Sequence, residues 1–254
     1  MRKSKLFIGA ALVVALVALG VGQSKIQEPS VAASNGVMAP HFLVDPYWPK
    51  PLPNNWAMGN TIGVDVDERD HVFIVHRNDA SQFGGNTEIG LQGGVAECCT
   101  PAPPIIEFDA EGNVVNAWGG PVEGAPYVWP ASNHGIEVAP NGDVWIGGNG
   151  GGDSHVLVFS RDGEYIRTIG MQGEGRDSNS KTHFARVAEI AIDVEANEAY
   201  FADGYQNRRV AVVDVATGAF KRYWGAYGNM PDDTADVTYV PGQPGPQQFR
   251  GPVH

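Results

Sequence analysis

Cysteine is nearly absent from this 254-residue chain: there are two, Cys98 and Cys99, side by side. So few thiols exclude a disulfide-stapled scaffold, and the pair alone cannot complete a zinc site. In an oxidising compartment they can close a vicinal disulfide; otherwise they are two thiols in a loop. Charge is sparse too, 18% of residues, and the 17 Lys and Arg are outnumbered by 29 Asp and Glu. The formal net charge of −12 repels phosphate backbones, so nucleic acid is not an expected partner, while cations are favoured near the surface. Beyond one N-terminal run, no segment is long and apolar enough to span a bilayer. The glycine run at 147–152 (GGNGGG) lacks a following GK[ST] and any strand–loop–helix context, so it reads as a loop and not a nucleotide cradle.

The N-terminal run is a separate segment. Arg2, Lys3 and Lys5 precede the uncharged stretch Leu6–Gly22, rich in Ala, Val and Leu. A basic start, an apolar stretch and a small-residue exit are the pattern of an export signal, removed or retained as an N-terminal anchor. No cysteine follows the run, so a lipid-attachment site is absent. Residues 1–22 are therefore expected to direct the chain to the periplasm or the exterior. Residues 23–53, rich in Pro, Ala and Ser, read as a leader ending in Tyr47-Trp48-Pro49, whose aromatics lie on the folded body.

What is abundant is glycine and proline, 33 and 18 residues, together with 43% hydrophobic side chains. That combination argues for many short strands and turns around a real core. One phrase occurs as Ile62–Val75, Gly135–Gly147 and Ile190–Ala202, each two alternating strands about a polar turn. A second phrase alternates with it: Ile105–Gly119, Val156–Gly170 and Val210–Gly225, with turns such as Glu111-Gly112 and Asp162-Gly163. Strict alternation, β-branched residues and Gly, Asn or Asp turns identify hairpins. Two hairpins per repeat of about 50 residues make a four-stranded propeller blade, with a β-sandwich as the competing arrangement. The expected fold is an all-β propeller of four-stranded antiparallel blades over residues 54–254. Three blades and the opening of a fourth at Phe249–His254 are legible. Propellers close at four blades or more, so the expectation is an incomplete ring; three blades alone would leave exposed edge strands.

Several polar residues sit where scaffold needs do not explain them. His76-Arg77 ends the second strand of the first blade, and Tyr205 and Arg208 follow a strand end in FADGYQNRR. His134 in SNHGIEV and His254 in FRGPVH occupy equivalent positions at the opening of a blade's first strand. In a propeller those positions converge at one face of the channel, and paired imidazoles suit zinc. Each has a structural alternative: Tyr205 as inter-blade packing, Arg77 as partner of an acid such as Asp79. His71 and His155 read as surface turn residues and His183 as a loop residue. Asp65, Asp67 and Asp70 read as the solvated face of a strand.

The run His183–Val213 (HFARVAEIAIDVEANEAYFADGYQNRRVAVV), with FIVHR and NHGI before it, resembles the peptidyl-α-hydroxyglycine α-amidating lyase family. The resemblance spans about residues 60–254, and the Asn78–Pro104 insertion is similar to bacterial relatives. It implies a six-bladed NHL-repeat propeller that cleaves a hydroxylated C-terminal glycine into a peptide amide and glyoxylate. It implies zinc ligation by His134 and His254, catalytic roles for Tyr205 as base and Arg77 as substrate clamp, and a structural calcium on the backbone carbonyls of Val64 and Ile136. The family's third zinc histidine and calcium aspartate have no counterpart in this sequence, so the chain as written is expected to be inactive. The implied partner is a peptide-like substrate ending in α-hydroxyglycine. The alternative is a non-catalytic exported propeller that binds peptides or proteins; a propeller fold hosts both.

Overall fold

The computed structural model describes residues 40–79, 99–173, 177–251 and 253–254; the segment 1–22, residues 23–39 of the leader and Cys98 lie outside the described residues. Cys99 is disulfide-bonded. The chain divides into two compact units, Met1–Pro46 and Tyr47–His254. In the first, the described residues 40–46 form no strand or helix, and Phe42, Leu43 and Val44 are exposed. Among the described residues no helix is long and apolar enough to cross a membrane.

The second unit is all-β. Its strands are β1 (Trp56–Ala57), β2 (Asn60–Val66), β3 (Val72–Arg77), β4 (Thr100–Pro101), β5 (Ile105–Phe108), β6 (Val114–Trp118) and β7 (Asn133–Val138). They continue with β8 (Val144–Gly148), β9 (His155–Phe159), β10 (Tyr165–Gly170), β11 (Val187–Asp193), β12 (Glu198–Asp203), β13 (Arg209–Asp214) and β14 (Phe220–Trp224). Three four-stranded antiparallel sheets follow in chain order: β2-β3-β5-β6, β7-β8-β9-β10 and β11-β12-β13-β14. These are three blades of a β-propeller, and their first strands, β2, β7 and β11, are neighbours around the channel. β1 and β4 form a small parallel ladder beside the first blade. The described residues of 249–254 form no strand, so the expected opening of a fourth blade is present only as coil.

The period-2 pattern fixes which side chain faces which neighbour. On β3, Ile74 joins Ile106 and Phe108 in a cluster with Trp48, Leu52, Trp56 and Met58. Phe73 and Val75 point the other way, to Val144, Ile146 and Leu157 of the second blade. Trp145 on β8 repeats the move, meeting Phe201, Ile190 and Val187 of the third blade. Each fully buried aliphatic or aromatic side chain in these layers contributes roughly 1.5–3 kcal/mol.

Two polar devices repeat between neighbours. The Trp48 indole donates to the Ala110 carbonyl (3.2 Å) and its ring lies over the turn at Gly112, where a Cβ would approach it to 2.9 Å. Trp118 does the same to the second blade, donating to the Arg161 carbonyl (2.9 Å) and covering Gly163. Both glycines have φ near +85° (85° and 86°), as the predicted turns require. The second device is acidic. Asp65 on β2 accepts the Val138 N–H of β7 (2.6 Å), and Glu137 on β7 accepts the Ile192 N–H of β11 (3.1 Å). Asp65 and Asp67 are thus not a solvated face: the first ties two blades together and the second pairs with Arg161 of the next blade. His155 is likewise not a surface turn residue; it opens β9, is buried, and its ring bonds the Val128 carbonyl (2.8 Å). His71 does lie at the turn before β3, half-buried, its Nδ1 2.7 Å from Glu107.

Candidate functional site

Chain ends of the second strands build the site. Arg77 ends β3, Asn149 directly follows β8, and Tyr205 follows β12 by two residues, so three blades each present one polar side chain at the same end of the channel. His134 adds a fourth from β7. A close approach of the first strands is needed at this level, and Gly63 on β2 permits it: a Cβ there would lie 2.8 Å from the His134 carbonyl oxygen.

The DGYQNRR run owes most of its polar residues to shaping the loop that carries Tyr205. Asp203 is fully buried and accepts from the Ala185 N–H (2.6 Å), Asn207 Nδ2 (2.9 Å) and Arg209 Nε (2.7 Å). Arg209, also fully buried, donates to the carbonyls of Ser178 (3.0 Å), His183 (2.9 Å) and Ser180. Burial pushes the Asp203 carboxyl above its usual range, and the Arg209 charge acts against that. Arg208 turns outward to the Asp232 and Ala235 carbonyls.

At the centre, His134 Nδ1 is 2.8 Å from the Ala188 carbonyl oxygen, so Nδ1 carries the proton and Nε2 the lone pair. That lone pair accepts the Tyr205 hydroxyl at 2.7 Å. The His254 ring stands 4.9 Å from Tyr205 and 5.9 Å from His134, centroid to centroid. The structure therefore brings His134, Tyr205 and His254 together, although 120 residues separate the two histidines in sequence. Burial holds His134 below the ordinary imidazole value, opposed by the Ala188 carbonyl and reinforced by the charges of Arg77 and His254. A neutral imidazole with an unprotonated Nε2 is the form that ligates a metal, and here the Tyr205 hydroxyl occupies that lone pair.

Arg77 borders this group. It is buried, its Nε donating to the Asn133 carbonyl (3.3 Å) and its Nη2 to Asn149 Oδ1 (3.1 Å). Burial draws its guanidinium below the ordinary value, while Tyr205 acts to raise it. Asn149 is the residue that sequence reasoning passed over, because it lies in a glycine run read only as a loop. Its signal was positional: it follows β8 as Arg77 ends β3. Val64 and Ile136 lie on the neighbouring strands β2 and β7, so both main chains border the channel; the Val64 side chain is exposed and that of Ile136 is buried.

Elsewhere, Asp67, His71 and Glu107 place ligand atoms within 4.8 Å of one another. Arg69 lies 3.2 Å from Asp67 and 3.1 Å from Glu107, and Arg161 pairs with both acids, so two guanidiniums already neutralise the carboxylates. This is an inter-blade ion-pair network at the opposite end of β3 from Arg77. Among the described residues no third His, Cys, Asp or Glu joins His134 and His254.

No family model and no curated protein matches the chain. Among solved structures it is similar to Kuenenia stuttgartiensis hydrazine synthase, with 13% identity and a TM-score of 0.42 over 68% of this chain and 38% of that one. It is similar to the WD40 repeats of RRP9, at 12% identity and a TM-score of 0.43, over 68% of this chain and 40% of that chain. A third is a catalytically inactive virginiamycin B lyase from Staphylococcus aureus with quinupristin, at 13% identity and a TM-score of 0.40, covering 70% and 45% of the two chains. The chain spans about two fifths of the length of these structures. What the sheets themselves define is a β-propeller class protein with a His–Tyr–His cluster at one end of its channel.

Proposed function

We propose that this cluster belongs to a metal-dependent lyase that cleaves peptidyl-α-hydroxyglycine into a peptide amide and glyoxylate. The observation that carries the reading is the meeting of His134, Tyr205 and His254, with Arg77 beside them and the Tyr205 hydroxyl 2.7 Å from His134 Nε2. The donor set suits zinc: His134 and His254 would hold it, with a third ligand required, and bound zinc would acidify the substrate hydroxyl. The carbonyls of Val64 and Ile136 would hold a structural calcium. The export signal at 1–22 would place the activity in the periplasm or outside the cell.

The chain's own residues divide the reaction between them. Arg77 offers a forked donor to the carboxylate of the terminal hydroxyglycine and so orients the reacting carbon. Tyr205, acting as base in its deprotonated form, takes the hydroxyl proton; the O–H electrons form the aldehyde C=O while the C–N bond breaks. Its electron pair passes to the amide nitrogen, which takes back the proton from the Tyr205 hydroxyl. With its Nε2 given to zinc, His134 would no longer accept the Tyr205 hydroxyl, which would then turn to the substrate, and the Ala188 carbonyl keeps His134 in the tautomer that presents Nε2.

The test is glyoxylate release from α-hydroxyhippurate by the longest reading frame containing this sequence, with zinc, with chelator, and in Tyr205→Phe and His134→Ala. The expectation is zinc-restorable activity that falls at least about 100-fold in either variant, the scale of a lost general base. Metal-independent turnover, or none, would count against the lyase. Binding of the peptide without turnover would favour the alternative, a propeller that binds peptides or proteins.

A further inference from the structure

Asn149 is nine-tenths buried yet polar, and its surroundings hold it in place. Its N–H donates to the Ser132 carbonyl at 2.9 Å. The following turn is pinned by Asp153, whose carboxylate accepts the N–H groups of Gly150 (2.7 Å), Ala131 (2.8 Å) and Ser132 (3.1 Å). A Cβ at Gly150 would lie 2.8 Å from the Ser132 nitrogen, so the turn is closely packed as well as bonded. From this rigid mount Asn149 offers Oδ1 to Arg77 Nη2 at 3.1 Å. A guanidinium only donates, so the amide oxygen, not the nitrogen, must face it. Asn133 holds the other side: its main-chain carbonyl takes Arg77 Nε, while its side chain bonds the His76 carbonyl (2.8 Å) and receives the Trp129 indole (2.8 Å).

We propose that Asn149 is the positioning residue of Arg77, setting the rotation of the guanidinium fork that takes a substrate's terminal carboxylate. The proposal rests on the lyase reading for the identity of that carboxylate, but not for the geometry. With Nε and Nη2 both bonded to the second blade, the plane of the guanidinium is held in one orientation. A fork that rotates freely binds a carboxylate as a point charge; a clamped one binds it as a plane.

The experiment has two arms on the full 254-residue chain. The first follows the Arg77 Nε–Hε resonance by 15N NMR, assigned by its loss in Arg77→Lys. In Asn149→Leu, which removes the acceptor at similar volume, that resonance should shift and lose protection from solvent exchange, while Asn149→Asp, which keeps an acceptor oxygen, should retain protection. The second arm compares binding of N-benzoylglycine with that of its amide. Asn149→Leu should weaken the carboxylate about 10-fold, the scale of one hydrogen bond to a charged group, and leave the amide unchanged. An unshifted resonance in Asn149→Leu overturns the proposal, as does equal weakening of both ligands, which marks a merely structural role. If N-benzoylglycine does not bind the wild-type chain, the substrate reading fails and the resonance alone decides whether Asn149 sets Arg77.

Discussion

A buried group and a half-buried one, both with displaced pKa values, pull the stability of this protein in opposite directions between neutral and mildly acid pH. His76 is fully enclosed on β3, its Nδ1 accepting the Gly59 N–H (3.0 Å) and its Nε2–H donating to the Pro103 carbonyl (2.9 Å). Burial drives it from 6.5 down to about 4. Its contribution is therefore complete above pH 6.5 and is lost as pH falls through about 4. Glu137 moves the other way: burial, with like charge from Asp65 and Glu189, pushes it from 4.5 up to about 7. Its contribution is complete below pH 4.5 and is lost as pH rises through about 7. For the enclosed imidazole the displacement is worth about 3 kcal/mol. For Glu137, partly open to the channel, solvent screening leaves roughly 1–2 kcal/mol. On going from pH 7 to 4.5, His76→Gln should therefore keep only the Glu137 effect and gain roughly 1–2 kcal/mol, while Glu137→Gln should lose about 3. Gln at 76 can still accept from Gly59 and donate to Pro103, so the comparison isolates titration. The assay is urea unfolding followed by tryptophan fluorescence at several pH values, in chelator so that bound cations do not intrude. Every other carboxylate titrates alike in both variants, so the readout is the difference between their slopes, about 4 kcal/mol across the window. Parallel stability curves for the two variants would refute the reasoning.

The Asp203–Arg209 pair supports the Tyr205 loop. Asp203→Ala strands a buried guanidinium and should cost about 3–5 kcal/mol in thermal unfolding, whereas the joint change Asp203→Leu with Arg209→Met should recover much of it. At Gly63, alanine would drive a methyl against the His134 carbonyl oxygen and Val75; Gly63→Ala should lose roughly 1–3 kcal/mol and shift the His134 ring resonances, where an unchanged spectrum would mean that β2 and β7 have room to part.

The hairpins were legible because alternation and turn chemistry act locally: the pattern of Ile62–Val75 is β2 and β3, and the glycines foreseen at 112 and 163 have the positive φ that those turns need. His134 and His254 were found by their equivalent repeat positions and Tyr205 by its place after a strand end, and the fold puts the three together. What repeat position does not disclose is which face of a strand the next blade covers. Asp65 and Asp67 alternate as solvated acids do, yet that face meets the second blade, where Val138 N–H and Arg161 await them. His155 looked like a turn residue because the polar segment before it resembles a loop up to the strand's first residue. Asn149 was hidden for a related reason: five glycines around it advertise flexibility, while the Asp153 carboxylate that removes the flexibility is visible only in three dimensions.

The carboxylates of Asp65 and Glu137 and the indoles of Trp48 and Trp118 share a direction. Each belongs to the earlier element in the chain and closes on the later one. As the polypeptide leaves the ribosome, a finished blade already displays the acceptor and the ring that its successor will need. Synthesis from the amino terminus, at a rate slow beside hairpin formation, then matches the order in which the contacts can be satisfied. The blades are set like courses of masonry, each one the bed for the next.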